Sequence, residues 1–380
     1  MMAVAVSIPS KAFAEYLLPE LVAPYYLATE ENEWSEIFLH YIPSWLTPGG
    51  DEYAVIYFYK GSPPRGIPWG SWIKPLAAWS AYALSLYLAM YCMSALLRKQ
   101  WIERERLTFP LVRLPAEVIG NPSFFRERMM WMGFAASSLI HLLNGFHLYL
   151  PSVPRFPTRF SLDPFLTERP WNALRPFPLS LQPSVIGVTY LLTLRVSFSV
   201  WFFYLLYKLQ CLIGASLGLR MGKAPGEFGF THYFASHEEM GAFITVGLFL
   251  IWKGKGYMRE VMRRTFKHRA DSDEPLSHGA ALAGLILSLF GQVMLSRFMG
   301  MSFPVALFIS LSFALMCLIF TWQVASAGIL RVDATFDPMM MLMTFTGGRR
   351  IGPASLTVDS IQARGFRTDV SQLPMPSIIN

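Results

Sequence analysis

The sequence predicts an all-α fold: a polytopic helical membrane protein with about six transmembrane crossings. Three observations carry that prediction. Of 380 residues, 53% are hydrophobic and only 15% charged, with a mean hydropathy of +0.37. Soluble domains carry roughly 25% charged residues. Several apolar runs reach the ~20 residues that cross a bilayer. The basic residues gather between those runs, where a membrane protein keeps its cytoplasmic charge.

Residues 1–75 are expected to be a non-cytoplasmic, aromatic interfacial segment. Their start is apolar but interrupted by Pro9, Pro19 and Pro24 and by Lys11, Glu15 and Glu20. It lacks the basic start and small-residue cleavage site of a signal peptide, and reads as a poor first span or a helix in the interface. From Glu30 to Lys74, Pro and Gly clusters mark turns, and the Trp and Tyr residues suit the water–lipid boundary. Eight acids (Glu15, Glu20, Glu30, Glu31, Glu33, Glu36, Asp51, Glu52) stand here beside four bases (Lys11, Lys60, Arg65, Lys74), and so low a Lys/Arg density is what a non-cytoplasmic segment shows.

A transmembrane helical domain is expected over residues 76–323. Its first span is Leu76–Leu97, followed by Arg98, Lys99, Arg104, Arg106, Arg113, Arg126 and Arg128, a cytoplasmic connection by its charge. Within it lies Trp101–Gly120, WIERERLTFPLVRLPAEVIG, broken by Pro110 and Pro115. This stretch reads as a loop or short helix pinned to one membrane face, which sets the direction of threading. Met129–Leu150 is the second span. Pro151–Gln182 is Pro-rich and irregular, an external loop placed to fold over a pore mouth. Ser184–Leu219 is too long for one straight helix and short for two with a turn. It is expected to break or to form a re-entrant hairpin. Glu238–Trp252 is the next span, followed by a loop bearing Lys253, Lys255, Arg259, Arg263, Arg264, Lys267 and Arg269. Ala280–Leu295 and Phe303–Trp322 follow, joined by Ser296–Ser302. Residues 324–380 read as a polar, cytoplasmic C-terminal tail with an apolar patch at Pro338–Phe345 and an unstructured end.

These spans leave one orientation in conflict. If Ser184–Leu219 crosses once, the basic loop after Trp252 lies outside, which Lys208, Arg220 and Lys223 favour. If it crosses an even number of times or re-enters, that loop lies inside, which the seven bases after Trp252 favour more strongly. Irregular backbone at membrane depth needs protein or a water-filled cavity to cover it, so a broken helix here points to a transport site. No internal repeat is visible.

Three strings then carry a resemblance: Glu103–Pro115 (ERERLTFPLVRLP), Ala28–Thr47 (ATEENEWSEIFLHYIPSWLT) and Gly187–Leu206 (GVTYLLTLRVSFSVWFFYLL). Together they resemble a family of bacterial and archaeal multi-spanning membrane proteins catalogued as a domain of unknown function. The resemblance covers roughly residues 15–370. Members of that family are longer, so the resemblance implies a chain shortened at its start and at its end. Where the family tends to place an acid in the long apolar tract, this chain has Arg195. A looser likeness, through Leu107–Pro110 and Glu117, is to oligopeptide transporters. It implies proton-coupled uptake of a peptide or metal chelate.

The candidate pathway residues are those that place charge or polarity inside the apolar tracts. Arg195 heads them, as a ligand for an anionic solute or the partner of a buried acid; a structural ion pair or a snorkelling side chain is the bland reading. Lys208 reads as snorkelling or as part of a loop. His237, Glu238 and Glu239 open a span, where a buried carboxylate can exchange protons, although acids also suit a helix N-terminus. His141, Asn144 and His147 share one helix face and could line a pore, or merely hydrogen-bond between helices.

Other features exclude more than they suggest. Glu103, Arg104, Glu105 and Arg106 read as a solvated cap. Met339–Met341 with Met343 reads as packing. Cys92, Cys211 and Cys317 lie in apolar runs without a CxxC partner, so neither a disulfide framework nor a zinc site is supported. Gly347, Gly348, Arg349 and Arg350 lack the phosphate-loop pattern, and no triad, HExxH or nucleotide fingerprint occurs. The net charge of +7 reads as topology and does not point to nucleic acid. The expected function is therefore that of a secondary-transporter-like protein of a prokaryotic inner membrane, without cofactor or metal. It would move a small solute, a peptide or other anion, through the bilayer that is its first partner; a homo- or hetero-oligomer is left open. A non-transporting scaffold or complex subunit is the alternative, and an intramembrane enzyme the third reading.

Overall fold

The computed structural model describes residues 14–61, 64, 66–107, 109, 116–219, 233–266, 276–328 and 334–366. Apart from the single turn Trp34–Ile37, its α-helices run in chain order as α1 (Ala14–Tyr26), α2 (Glu52–Lys60), α3 (Trp69–Lys99), α4 (Arg128–Tyr149), α5 (Pro183–Leu191), α6 (Leu194–Ser216), α7 (Tyr233–Phe266), α8 (His278–Phe298), α9 (Phe303–Ala327), α10 (Pro338–Thr346) and α11 (Pro353–Phe366). Among the described residues, the strands are β1 (Arg159–Ser161) and β2 (Pro178–Ser180), one antiparallel pair with Phe160 opposite Leu179.

Among the described residues, five helices are long and apolar enough to cross a membrane: Trp69–Arg104, Leu194–Ser216, Phe234–Thr265, His278–Phe298 and Phe303–Ala327. The chain is thus an all-α polytopic membrane protein. The expected span Met129–Leu150 does form a helix, α4, of 22 residues. It is not among the five, because Arg128, Ser137, Ser138, His141, Asn144 and His147 dilute its apolar content. The tract Ser184–Leu219 is broken, as its length requires. Leu192 and Thr193 are extended (ψ 151° and 148°), and the Thr193 hydroxyl caps α6 by accepting from Val196 N. A Thr cap satisfies one of the orphan amides of a new helix, so α6 starts afresh after a break that holds neither Pro nor Gly.

The chain divides into two compact units. The first comprises residues 1–107, 239–322 and 331–380. Its centre is α8 laid along α3. Gly284 permits the approach: a Cβ there would sit 2.6 Å from Cys92 Sγ. Small residues at such contacts let membrane helices pack closely where no hydrophobic effect drives them together. Ala95, Leu96, Tyr257, Val261 and Ala281 close one end of this core. Near the other end, Trp79 is buried, donates from Nε1 to Leu46 O at 3.0 Å, and stacks on Phe366 at 5.7 Å. Gln362, one turn before Phe366, donates to Ser296 Oγ at 3.0 Å. Part of the stretch read as a polar tail is therefore helix, and α11 contributes to this core; residues 367–380 lie outside the described residues. α1 is only 13 residues long and holds Pro19 and Pro24; it buries Leu21 and Val22 completely, Val22 against Val55 and Trp72.

Two charged runs differ from expectation. α3 ends in a π-helical turn, Gln100–Arg104, that buries Gln100 and Trp101. The run Glu103–Arg106 is not simply a solvated cap. The Glu105 side chain is only 6% exposed and pairs with Lys253 at 2.8 Å, while Arg104 pairs with Glu260 and lies 4.9 Å over the Tyr257 ring. The basic segment after Trp252 is not a loop: α7 continues unbroken to Phe266. α7 thereby brings Glu260 to Arg104 in the π-turn and Lys253 to Glu105 just after it.

The second unit comprises residues 108–238 and 323–330. It holds α4, the β1–β2 hairpin, α5, α6 and the first turns of α7. Phe109 N donates to Ala325 O at 3.0 Å. The family-like residues Thr108 and Pro110–Pro115, with Pro110 and Pro115 among them, lie outside the described residues, as do Arg220, Lys223, Lys267 and Arg269.

Candidate functional site

The site is built by the irregular loop between α4 and α5. Its start is tied to α4. Asn144 Oδ1 accepts from Phe156 N at 2.9 Å, and His147 Nδ1 lies 2.7 Å from Val153 O. The β1–β2 pair then closes the loop on itself. Inside the hairpin, Asp163 Oδ1 accepts from Phe177 N at 2.8 Å, and Arg175 donates to Asp163 O. A 3₁₀ turn at Trp171–Leu174 brings the chain round. The loop is thus fixed from three directions, and the carbonyls of Leu174 and Pro176 are held at a defined place.

Lys208 fills that place. It is the fifteenth of 23 residues in α6 and is only 6% exposed. Its Nζ donates to Leu174 O at 2.9 Å and to Pro176 O at 2.8 Å. Phe177, Tyr204 and Tyr207 surround it, each ring centroid 5.4–5.5 Å away. The Asp163 carboxylate lies within electrostatic reach without a direct bond. The magnitudes explain why a cation is tolerated here. A lysine at helix centre costs ~2.5–3.5 kcal/mol on insertion scales. Hydrogen bonds to a charged group return ~1.5–3 kcal/mol each, and ring faces add ~0.5–2 kcal/mol. Two carbonyls and three rings are enough to offset the cost. An ammonium has three donors, and these two carbonyls take two of them.

Lys208 was expected to snorkel or to lie in a loop. Instead it is buried in a candidate span. The signal lay in its neighbours: Tyr204 at i−4, Tyr207 at i−1 and Cys211 at i+3 form a polarisable patch on one face of an otherwise aliphatic and Phe-rich helix. Arg195, expected at depth within the tract, is the second residue of α6 after the break. It is exposed, and its guanidinium bonds to nothing among the described residues; its carbonyl accepts from Ser199 Oγ.

The remaining predicted site residues are dispersed. Asn144 and His147 brace the loop that carries the Lys208 carbonyls, so they support the site from α4. His141 is exposed and lies one turn before Asn144. Glu238 is exposed and accepts from Gln210 Nε2 at 3.1 Å, which brings the start of α7 to the helix that carries Lys208. Glu239 belongs to the first unit, where its carboxylate accepts from Thr335 N at 3.1 Å and from the Thr335 hydroxyl. That unit also carries an open groove of about 500 Å³, lined by Tyr41, Arg297, Ser302, Phe303, Gly352 and Ser355, among others; none of the predicted site residues lines it. Among the described residues, no three His, Cys, Asp or Glu side chains are grouped to hold a metal ion.

Fold and site together define a polytopic helical membrane protein with a buried lysine under a folded loop. The chain belongs to a family of unknown function, DUF6785, whose model matches residues 1–380. No curated protein and no solved structure matches it.

Proposed function

We propose that this chain is a secondary-transporter-like protein of a prokaryotic inner membrane that moves a small anionic solute, with Lys208 as the charge that meets it. The observation that carries the reading is a buried ammonium in a candidate span, bonded to two backbone carbonyls and, among the described residues, to no carboxylate. Such a cation is not directly ion-paired, with Asp163 acting on it only through space, and intramembrane charges of this kind mark solute pathways. The break at Leu192–Thr193 supports it, since discontinuous helices serve binding sites in transporters. A carboxylate, as in a peptide C-terminus, fits the third donor. Arg195, at the mouth of the same helix, and Glu238, bonded to Gln210, extend the path. The reading assigns no enzymatic step, no cofactor and no metal.

The test is uptake into proteoliposomes of a labelled panel of small carboxylates and peptides. Wild type takes up at least one of them, Lys208→Arg retains flux, and Lys208→Met abolishes it while still folding. Absence of flux for the whole panel overturns the proposal.

A membrane scaffold or complex subunit is the second reading. It is favoured by one observation: Asn144, His147 and Lys208 all spend their hydrogen bonds on holding the same loop. Recovery of a stable partner from mild detergent, lost when that loop is replaced by a short linker, supports it.

A further inference from the structure

Helix α7 is longer than a bilayer is thick. Its 34 residues span about 51 Å at 1.5 Å per residue, against a hydrocarbon core of ~30 Å. The place where it leaves the apolar layer is marked by side chains. Trp252 is 63% exposed; Lys253 Nζ lies 6.0 Å over the Phe249 ring and Lys255 Nζ 5.1 Å over the Trp252 ring. Aromatic rings with lysine heads beside them are the side chains of a water–lipid boundary.

Past this boundary the helix has two unlike faces. One carries Tyr257, Glu260, Val261 and Arg264. It is committed to protein: Val261 is fully buried, and Glu260 accepts from Arg104 and, at 2.5 Å, from Arg264. The other carries Lys255, Arg259 and Arg263. With Trp252 these fall within about 80° of one another around the axis, and all are exposed. Arg259 and Arg263 have no carboxylate partner among the described residues. Glu260 is the one acid between Trp252 and Phe266, and its carboxylate is taken by Arg104 and Arg264.

We infer that the stripe Lys255–Arg259–Arg263 docks the headgroups of anionic phospholipids in the leaflet at this end of α7. Three arguments commit the surface to lipid. The stripe continues directly from Trp252 at the boundary, so its first cation already stands at headgroup height. Side chains on a helix tilt toward its N-terminus, which here is back toward the bilayer. Long Lys and Arg chains from the next two turns therefore reach down to the headgroup layer. Finally, anionic leaflets attract basic residues held near their surface, and a stripe with no internal acid gives that attraction no competitor.

The experiment measures lipid retained by the full chain in mild detergent, by native mass spectrometry, with phosphatidylglycerol and phosphatidylcholine added in parallel. Wild type retains phosphatidylglycerol at least tenfold more strongly than phosphatidylcholine. The triple variant Lys255→Gln, Arg259→Gln, Arg263→Gln loses that preference at unchanged melting temperature. The charge-preserving triple Lys255→Arg, Arg259→Lys, Arg263→Lys keeps it, which separates charge from loss of fold. Equal retention of the two lipids by wild type, or undiminished preference in the Gln triple, overturns the inference. So does displacement of the lipid by millimolar inorganic phosphate, which would assign the stripe to a soluble anion.

Discussion

Lys208 Nζ donates to the carbonyl of Pro176, 32 residues earlier in the chain, at 2.8 Å. This bond and its partner to Leu174 O pin an irregular loop to the middle of a membrane-length helix. Removing the ammonium leaves two acceptors in place without donors. An unsatisfied buried group costs ~1–3 kcal/mol, while the lysine's own desolvation cost is relieved. Lys208→Met should therefore lower stability by about 1–3 kcal/mol and loosen the loop. Trypsin cleavage after Arg159 in folded protein reads the loosening directly, and a melting curve in detergent reads the stability. Unchanged cleavage in Lys208→Met would show that β1–β2 holds the loop alone.

Arg104 and Arg264 share the Glu260 carboxylate, and Glu105 takes Lys253. Arg104 is 47% exposed and Glu260 24%, so solvent screening limits what each bond is worth. A double-mutant cycle on Arg104→Gln and Glu260→Gln should return a coupling of about 0.5–1 kcal/mol, within the range of exposed pairs. It should shrink in 1 M salt, where the screening length is ~3 Å. A coupling that is independent of salt would mean that the π-turn is held by packing of Gln100 and Trp101 and not by charge.

Much of this architecture is written in hydropathy. The spans begun at Leu76, Ala280 and Phe303 are legible because an apolar run of bilayer length has one stable form, a helix with all its backbone bonds internal. The break before Arg195 is legible from length alone. What hydropathy does not carry is where a helix stops once it leaves the lipid. α7 runs on to Phe266 because its basic residues have good helix propensity and partners on α3, and neither depends on apolarity. Lys208 was missed for a related reason. Its partners are main-chain carbonyls of a distant loop, and a carbonyl leaves no trace in residue type. Asn144 and His147 were visible as polar residues on an apolar face, but their use as braces follows only from the fold of the loop that they hold.

Asp51 caps α2, accepting from Tyr53 N and Ala54 N, and Ser71 Oγ donates to its other oxygen at 2.5 Å. The Ser71 bond and the two amide bonds hold its carboxyl below the ordinary carboxylate value, despite an opposing contribution from burial. A group whose pKa is lower folded than unfolded contributes stability above its unfolded pKa, near 3.9, and loses it as pH falls through the folded value. The contribution is thus fully present at pH 7 and fades below about pH 4. Asp51→Asn should keep much of the cap, since Asn also caps well, and flatten this part of the pH–stability curve. Asp51→Ala should in addition lose about 1 kcal/mol at pH 7, the usual worth of a cap. Tryptophan-fluorescence melts at pH 7, 5 and 3.5 separate the two effects, and parallel curves for wild type and Asp51→Asn would deny the carboxylate any role in the acid limb.

The contact of α8 with α3 turns on a single missing methyl. At Gly284 a Cβ would meet Cys92 Sγ at 2.6 Å, closer than van der Waals contact allows. Cys92 is itself buried, at 1% exposure, and its short side chain has little freedom to swing away. Gly284→Ala must then push the helices apart or force Cys92 out of its rotamer, and overpacking of this kind costs ~1–3 kcal/mol. The helix propensity of Ala over Gly, up to ~1 kcal/mol, works in the opposite direction and is the smaller effect. The clash involves one sulfur, so removing it removes the penalty. Cys92→Ala with Gly284→Ala should melt above Gly284→Ala alone, because the two methyls share the space that the thiol occupied. A double variant no more stable than Gly284→Ala would place the strain in the backbone of α8 and not in the sulfur contact.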